Sequence, residues 1–471
     1  MTYRATIGLE VHAEVKTKSK MFCGCQNAPH GSQPNANTCP VCLAHPGTLP
    51  VVNEAAVTKV LQFGTAVGGS IATFSEFDRK NYFYPDIPKA YQISQYAYPF
   101  VSGGELAGVA LTRVHLEEDT ARSQHDQGVG SVVDFNRAGV PLMELVTEPV
   151  IHDADTAVTF AKELQLMLRV LGVSEANMEQ GEMRVEANIS VSMNDELGTK
   201  VEVKNLNSFR AVKEAIDYEI TRQTRLLESG TSVRQETRGW DETTKKTFTQ
   251  RSKETAKDYR YFPDPDIPKM RIDTYAPFVK SRLDESTPEL PNKIREKYQN
   301  LGIKSTDIET ILADDKLRLS FEQLLQIIPT GQSSIAALAV NYLLSDVTIL
   351  LSGQNMTFLD IPHVQYLKLI TMLADKKIGS RVAKDLLPEV LSTGADPEVL
   401  ARERNLLQES DPEALRTVVI AIIQEHAVVV ADYRAGKEAA LKFLLGQVMK
   451  QTRGTADPVL AESILQAELS T

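Results

Sequence analysis

Residues 7–12 alternate strictly: Ile7, Leu9 and Val11 share one side, and Gly8, Glu10 and His12 share the other. A side-chain period of two predicts a strand with one face in a core. The alternation returns at 184–191, where Val185, Ala187, Ile189 and Val191 turn inward and Arg184, Glu186, Asn188 and Ser190 turn outward together. It appears again over 200–204, and the turn residues Asn194, Asp195 and Gly198 between the two segments predict a hairpin. Helical spacing takes over at 154–171, where Val158, Ala161, Leu164, Leu168 and Leu171 recur at three- and four-residue steps. Asp153 or Asp155 is the predicted cap and Gly172 the stop. A further helix is predicted over 208–227, closing near Gly230. Beyond Pro288-Glu289-Leu290-Pro291 the alternation ends and helical periods dominate, broken at Gly302, Pro329, Gly353, Pro362 and Gly379. Gly394-Ala395-Asp396-Pro397 is a second break. The pattern predicts an α+β chain: a mixed or antiparallel-sheet domain over 1–290, a helical domain over 291–395, and a small all-α tail domain over 396–471.

Bulk properties narrow the partners. With 471 residues the chain has room for two to four domains. A formal net charge of −11 argues against a protein that coats nucleic acid through bulk charge. It permits a local basic face, because phosphate contacts act over about a Debye length, roughly 8–10 Å. The apolar run Val418–Ile423 is far too short for a bilayer, and the expectation is a cytoplasmic protein with no membrane partner and no signal-peptide pattern.

All four cysteines lie between positions 23 and 42. Cys23-Gly24-Cys25 and Cys39-Pro40-Val41-Cys42 form a C-x-C and a C-x-x-C, which predict a structural zinc site of four thiolates, Cys23, Cys25, Cys39 and Cys42, stapling a loop with little core of its own. Four unrelated free thiols are the alternative.

The densest acidic stretch is His115-Leu116-Glu117-Glu118-Asp119. On a strand, Glu117 and Asp119 face away from Glu118, so one site takes one or two of the three carboxylates. Glu10, Glu118 and Glu186 are the candidates for a hard-cation site, with oxygen ligands suited to Mg²⁺ or Mn²⁺. His12 is less typical of Mg²⁺. Taken alone, Glu10 and His12 equally describe a solvated strand face. Residues 77–86 and 258–263 mix Arg and Lys with Tyr and Phe, a composition that suits phosphate contacts and base stacking, or else a core rim with snorkelling cations. The sequence has no Walker phosphate loop, no G-x-G-x-x-G behind a strand and no G-x-S-x-G elbow.

Several exact motifs, in order along essentially the whole chain, resemble the B subunit of the aspartyl/glutamyl-tRNA amidotransferases. They are Ile7-Gly8-Leu9-Glu10-Val11-His12, Phe77-Asp78-Arg79-Lys80-Asn81-Tyr82-Phe83-Tyr84-Pro85-Asp86, Lys89-Ala90-Tyr91-Gln92-Ile93-Ser94-Gln95, Leu116-Glu117-Glu118-Asp119, Glu202-Val203-Lys204-Asn205-Leu206-Asn207-Ser208-Phe209, Asp258-Tyr259-Arg260-Tyr261-Phe262-Pro263 and Gly446-Gln447-Val448-Met449-Lys450. The resemblance implies a cradle domain that holds a misacylated tRNA end and phosphorylates its side-chain carboxylate with ATP, within a heterotrimer. An amidase A subunit would free ammonia from glutamine and a small C subunit would brace the pair; the products would be Gln-tRNA(Gln) or Asn-tRNA(Asn). The resemblance also assigns Glu10, His12 and Glu118 to Mg²⁺ (Mn²⁺ as a substitute). Glu186 extends that site with Arg184 and Asn188, while Lys80, Lys204 and Arg260 contact phosphate or the tRNA terminus. Lys437, Lys442, Lys450 and Arg453 in the tail would grip the tRNA body. The chain departs from the family pattern at Val185, where a Cys is common, at Glu186, where an Asp is expected, and at Thr120-Ala121-Arg122, where Ala-Gly-Lys is usual. A non-catalytic tRNA-binding scaffold is the competing reading.

Overall fold

The computed structural model describes residues 3–124, 130–194, 196–252, 259–352, 356–408, 412–452 and 454–470. It divides into two compact units, Met1–Pro291 and Asn292–Thr471.

The first unit is organised around strand β1 (Arg4–Glu14), the strand predicted from residues 7–12. On one side β1 pairs antiparallel with β6 (Met183–Ser192), and on the other with β5 (Pro141–Thr147). Beyond β5 lies β4 (Val109–Glu118), and beyond β6 lie β7 (Val201–Leu206), β8 (Glu236–Asp241) and β9 (Lys246–Ser252). All these neighbours are antiparallel except β7 and β8, and short strands complete a mixed ten-stranded sheet. The smaller strands β2 (Asp78–Asn81), β3 (Tyr91–Ser94) and β10 (Phe262–Pro263) form a separate three-stranded sheet.

One face of the large sheet is dry. Ile7, Leu9, Val11 and Ala13 are at most 1% exposed, as are Val185, Ala187 and Ile189. They share a core with helices α1 (Glu54–Ala66), α2 (Ala154–Val170) and α3 (Phe209–Glu228). Each helix starts where a short polar side chain satisfies its first free N–H groups: Asn53 accepts from Ala55 and Ala56, Asp153 from Thr156, and Ser208 from Ala211. The hairpin between β6 and β7 needs its glycine, because a Cβ on Gly198 would stand 2.2 Å from the Val191 carbonyl oxygen. Asp195 lies outside the described residues.

The second unit is helical throughout its described residues, ending with α4 (Pro412–Glu425), α5 (Ala427–Arg434), α6 (Glu438–Gln451) and α7 (Pro458–Leu469). These four share a core of their own, including Leu415, Val419, Ile422, Leu444, Val448 and Leu465. The segment after Asp396 belongs to the helices before it: Lys368 Nζ is 2.7 Å from the Asp396 carboxylate, and Gln408 N–H donates to Lys377 O at 2.7 Å. The last core therefore begins at Pro412 rather than at residue 396. One helical stretch among the described residues, Ser333–Ser352, is long and apolar enough to cross a membrane, unlike the short Val418–Ile423 run. Ile335, Ala336, Ala339, Val340, Leu343 and Val347 on it are buried inside the unit, as in a core helix.

Leu9→Ala removes a side chain 1% exposed at the centre of this packing. It is expected to cost about 2–5 kcal/mol, read as a lower urea midpoint with an unchanged slope; a loss below about 1 kcal/mol would show that β1 is not central to the core.

Candidate active site

The polar face of the sheet is set by ladder register. His12 stands opposite Glu144 on β5 and Arg184 on β6; Glu10 stands opposite Glu186, and Glu144 opposite His115 on β4. Alternation then carries Glu117 to the same face as His115. A register shift in β7, with Asn205 at φ 64°, brings Lys204 beside Glu186.

The resulting cluster is dense. His12 Nε2 lies 3.3 Å from Glu144, 3.8 Å from Glu117 and 3.9 Å from Glu10. His115 Nε2 lies 3.2 Å from Glu144. Glu117 also accepts from Ser94 Oγ at 2.8 Å. Lys204 Nζ is 2.7 Å from Glu186, and Arg184 Nη2 is 2.9 Å from Asp119, which Arg137 also approaches at 3.6 Å.

Burial opposes every charge here, and the neighbours decide the outcome. Burial first, then the charge of Glu144, pushes Glu10 up to about 7. Burial would pull His12 down, but its bond to Glu144 and the charges of Glu144, Glu10 and Glu186 push it up to about 9. His115 is likewise raised to about 9, burial being outweighed by Glu144 and Glu117. Burial is outweighed at Glu144 by the two histidines, which hold its carboxyl well below the usual range, and at Asp119 by Arg184 and Arg137. Two atom sets, Glu10–His12–Glu144 and Glu10–Glu186–Glu202, each lie within 4.8 Å of one another, as does His115–Glu117–Glu144. Carboxylates outnumber fixed cations on this face, and His115 Nδ1 and Asn188 Oδ1 are buried with no hydrogen-bond partner among the described residues. The donor set fits a hard divalent cation.

Glu118, expected at the cation site, lies elsewhere. Its carboxylate sits on the other side of β4, 2.7 Å from Lys89 Nζ and accepting the Ile93 N–H at 3.0 Å. It belongs to none of the metal-competent groups among the described residues. Alternation shows that Glu117 and Glu118 diverge; only the register of β4 on β5 shows that Glu117 is the one that meets His12. Glu144, at the centre of the cluster, is not among the residues the sequence singled out: it is a lone carboxylate among Leu142, Met143 and Leu145, with no spacing of its own that signals a site.

The remaining candidates separate. Lys80, on β2, lies with its ammonium 5.2 Å from the Tyr259 ring and 5.9 Å from the Tyr82 ring. Burial would lower its pKa, yet Glu117, Tyr261 and Glu144 hold it well above its ordinary value, so it stands at the border of the acidic face. Arg260 is exposed, and its carbonyl accepts from Asn81 Nδ2 at 2.9 Å. Lys437 pairs with Asp432 at 2.8 Å, Lys442 and Lys450 are exposed on α6, and Arg453 lies outside the described residues.

The four thiols of Cys23, Cys25, Cys39 and Cys42 also converge within 4.8 Å. Cys39 Sγ and Cys42 Sγ are 3.9 Å apart, close to the edge of a tetrahedron with metal–sulfur bonds of about 2.3 Å. The cluster can hold a metal. Hydrogen bonding from Cys23 is the largest influence drawing Cys42 down to about 4, and Lys20 adds to it. One member of the set is thus already biased towards thiolate.

Residues 5–276 match the family model of the GatB/GatE catalytic domain, and residues 321–469 match the GatB domain. The sheet unit with its acidic face is therefore a catalytic domain of that class. At the level of whole chains, the protein is 42% identical over 484 aligned residues, covering 100% of both chains, to the aspartyl/glutamyl-tRNA(Asn/Gln) amidotransferase B subunit of Thermoanaerobacter sp.. It is 44% identical over 473 residues, 98% of both chains, to the B subunit of the same name from Thermus thermophilus, and 41% identical over 99% of both to that of Brevibacillus brevis. The chain belongs to the family of aspartyl/glutamyl-tRNA(Asn/Gln) amidotransferase B subunits.

The raised histidine and Glu10 values fix a sign for cation binding. Without a cation, His12 holds its proton up to about pH 9 and Glu10 up to about pH 7. A cation ligated by both must displace those protons, so Mn²⁺ affinity is expected to rise with pH, by about tenfold per unit for each proton displaced, and to level off above the folded values. Calorimetric titration at about pH 7 and about pH 8 reads this; an affinity that is flat or falls with pH contradicts it.

Proposed function

We propose that this chain is the subunit at which a tRNA-bound side-chain carboxylate is activated with ATP and then amidated. The observation that carries the reading is the polar sheet face, where Glu10, Glu117, Glu144 and Glu186 surround His12 and are bordered by Lys80, Arg184 and Lys204. A carboxylate is a poor acceptor for ammonia and an acyl phosphate a good one. Phosphoryl transfer asks a protein mainly for positioning and charge neutralisation, which this face offers without a Walker loop.

The side-chain carboxylate oxygen of Glu-tRNA(Gln) or Asp-tRNA(Asn) attacks the γ-phosphorus of ATP, releasing ADP. Ammonia then attacks the acyl carbon, phosphate leaves, and loss of a proton gives the amide. Bound Mg²⁺, held by Glu10, His12, Glu117 and Glu144, would neutralise phosphate charge. Lys204 and Arg184, which here pair with Glu186 and Asp119, would turn the same hydrogen-bonding geometry to phosphate oxygens. Lys80, between two tyrosine rings, offers a third cation with aromatic surface beside it for the tRNA end. The ammonia would come from glutamine through an amidase A subunit, with a small C subunit completing a cytoplasmic heterotrimer. The exposed lysines of α6 would contact the tRNA body. Zn²⁺ on the four thiolates would be structural, since a closed four-sulfur site has no open position for chemistry.

In the reconstituted complex, Glu117→Gln is expected to lower tRNA-dependent ATP cleavage by about 100-fold or more while leaving glutaminase chemistry in the partner intact. Glu118→Gln should leave Mn²⁺ affinity within about twofold, because its carboxylate points elsewhere. ATP cleavage that survives Glu117→Gln would sink the kinase assignment and leave a tRNA-binding scaffold.

A further inference from the structure

Lys20 is a lysine with no exposed surface. Its Nζ meets two acceptors, the Phe135 carbonyl oxygen at 3.1 Å and Cys42 Sγ at 3.8 Å. Among the described residues no carboxylate lies within ion-pair distance of it. A buried ammonium without a counter-charge is among the costliest features a fold can carry. Four thiolates around a divalent metal carry a net charge of −2, and that charge would sit against Lys20.

We propose that Lys20 is the buried counter-charge of the four-thiolate metal cluster, and that its N–H···S contact to Cys42 is the link through which the occupied cluster fixes the 135–140 loop. This rests on the metal reading of the thiols given above. The geometry supports it at three further points. Cys42 Sγ also receives the Cys39 N–H at 3.2 Å, so two donors converge on one sulfur, as on a ligand thiolate. The Lys20 N–H donates to Cys25 O at 2.9 Å, tying its own backbone to the first cysteine pair. Its neighbour Met21 N–H donates to Gly139 O at 2.7 Å, and Gly139 N–H to Asp119 O at 2.9 Å. The same loop carries Arg137 to Asp119, the partner of Arg184. Lys20 thereby joins the thiols to the edge of the acidic face without touching substrate: it is a positioning residue, acting through Cys42 and Phe135.

The test uses the full-length chain as isolated. Metal content is measured by mass spectrometry for the wild type and for Cys42→Ser, and metal release to a chromogenic chelator is timed for the wild type, Lys20→Met and Lys20→Arg. The wild type should hold one metal per chain and Cys42→Ser should hold less. Lys20→Met should release its metal about 10–100-fold faster, and Lys20→Arg, which keeps the charge, should stay closer to the wild type. A second measurement needs no variant: acetylation of Lys20, mapped by peptide mass, should appear only after the wild-type metal is stripped, because the emptied cluster no longer fixes the 135–140 loop against this fully buried side chain. Wild-type release rates in Lys20→Met, or equal acetylation of Lys20 before and after stripping, would overturn the proposal while leaving the metal reading intact. A wild-type chain that holds no metal would overturn both.

Discussion

His12 is flanked by two antiparallel ladders, and the register of those ladders decides everything it meets. Pairing with β5 brings Glu144 across from it, and pairing with β6 brings Arg184. The second ladder also sets Glu10 against Glu186, and the next strand out places His115 opposite Glu144 and Glu117 beyond it. A slip of one residue on any of these strands would turn the acidic set into the core and the apolar set to water. The core prevents it: Ile7, Leu9, Val11 and Ala13 fill the dry face, and the burial that stabilises the sheet is the same constraint that aligns the carboxylates. The acidic face is thus assembled by hydrophobic packing on its reverse side.

That division explains what could be read from residues alone. Strand β1, the 184–191 alternation, the 154–171 helix with its Asp153 cap and the helix after Ser208 were legible because period, caps and stops are local. So was the convergence of the four cysteines, since C-x-C and C-x-x-C bring their sulfurs close by short-range geometry. The α+β class and the family followed from motifs spread along the chain. The choice of Glu117 over Glu118 was not local. It depends on which residue of β4 lies opposite which residue of β5, and β5 carries a single glutamate in an apolar run that period alone assigns to a buried strand. The last helical core beginning at Pro412 was hidden for a similar reason: Asp396 caps its own short helix while its carboxylate holds Lys368, a contact across 28 residues.

The chain keeps its two metal-competent clusters chemically apart. The sheet face offers oxygen and imidazole donors, charges in excess and polar groups left unpaired, which suit a hard cation that must also meet phosphates. The thiols offer a closed set of sulfurs near a buried lysine and little else. Soft and hard donors do not mix, so the two clusters would not compete for one ion. They are nevertheless linked, because the 135–140 loop is tied at one end to the cysteine-bearing segment and at the other to Asp119 and Arg184.

In the proposed reaction His12 ligates the cation that serves phosphoryl transfer. Pulsed electron paramagnetic resonance of Mn²⁺ bound to the full-length chain tests it most directly. Modulation from an imidazole nitrogen is expected in the wild type, and its loss in His12→Asn. An Mn²⁺ signal with no nitrogen coupling in the wild type, or with the same coupling in His12→Asn, would contradict it.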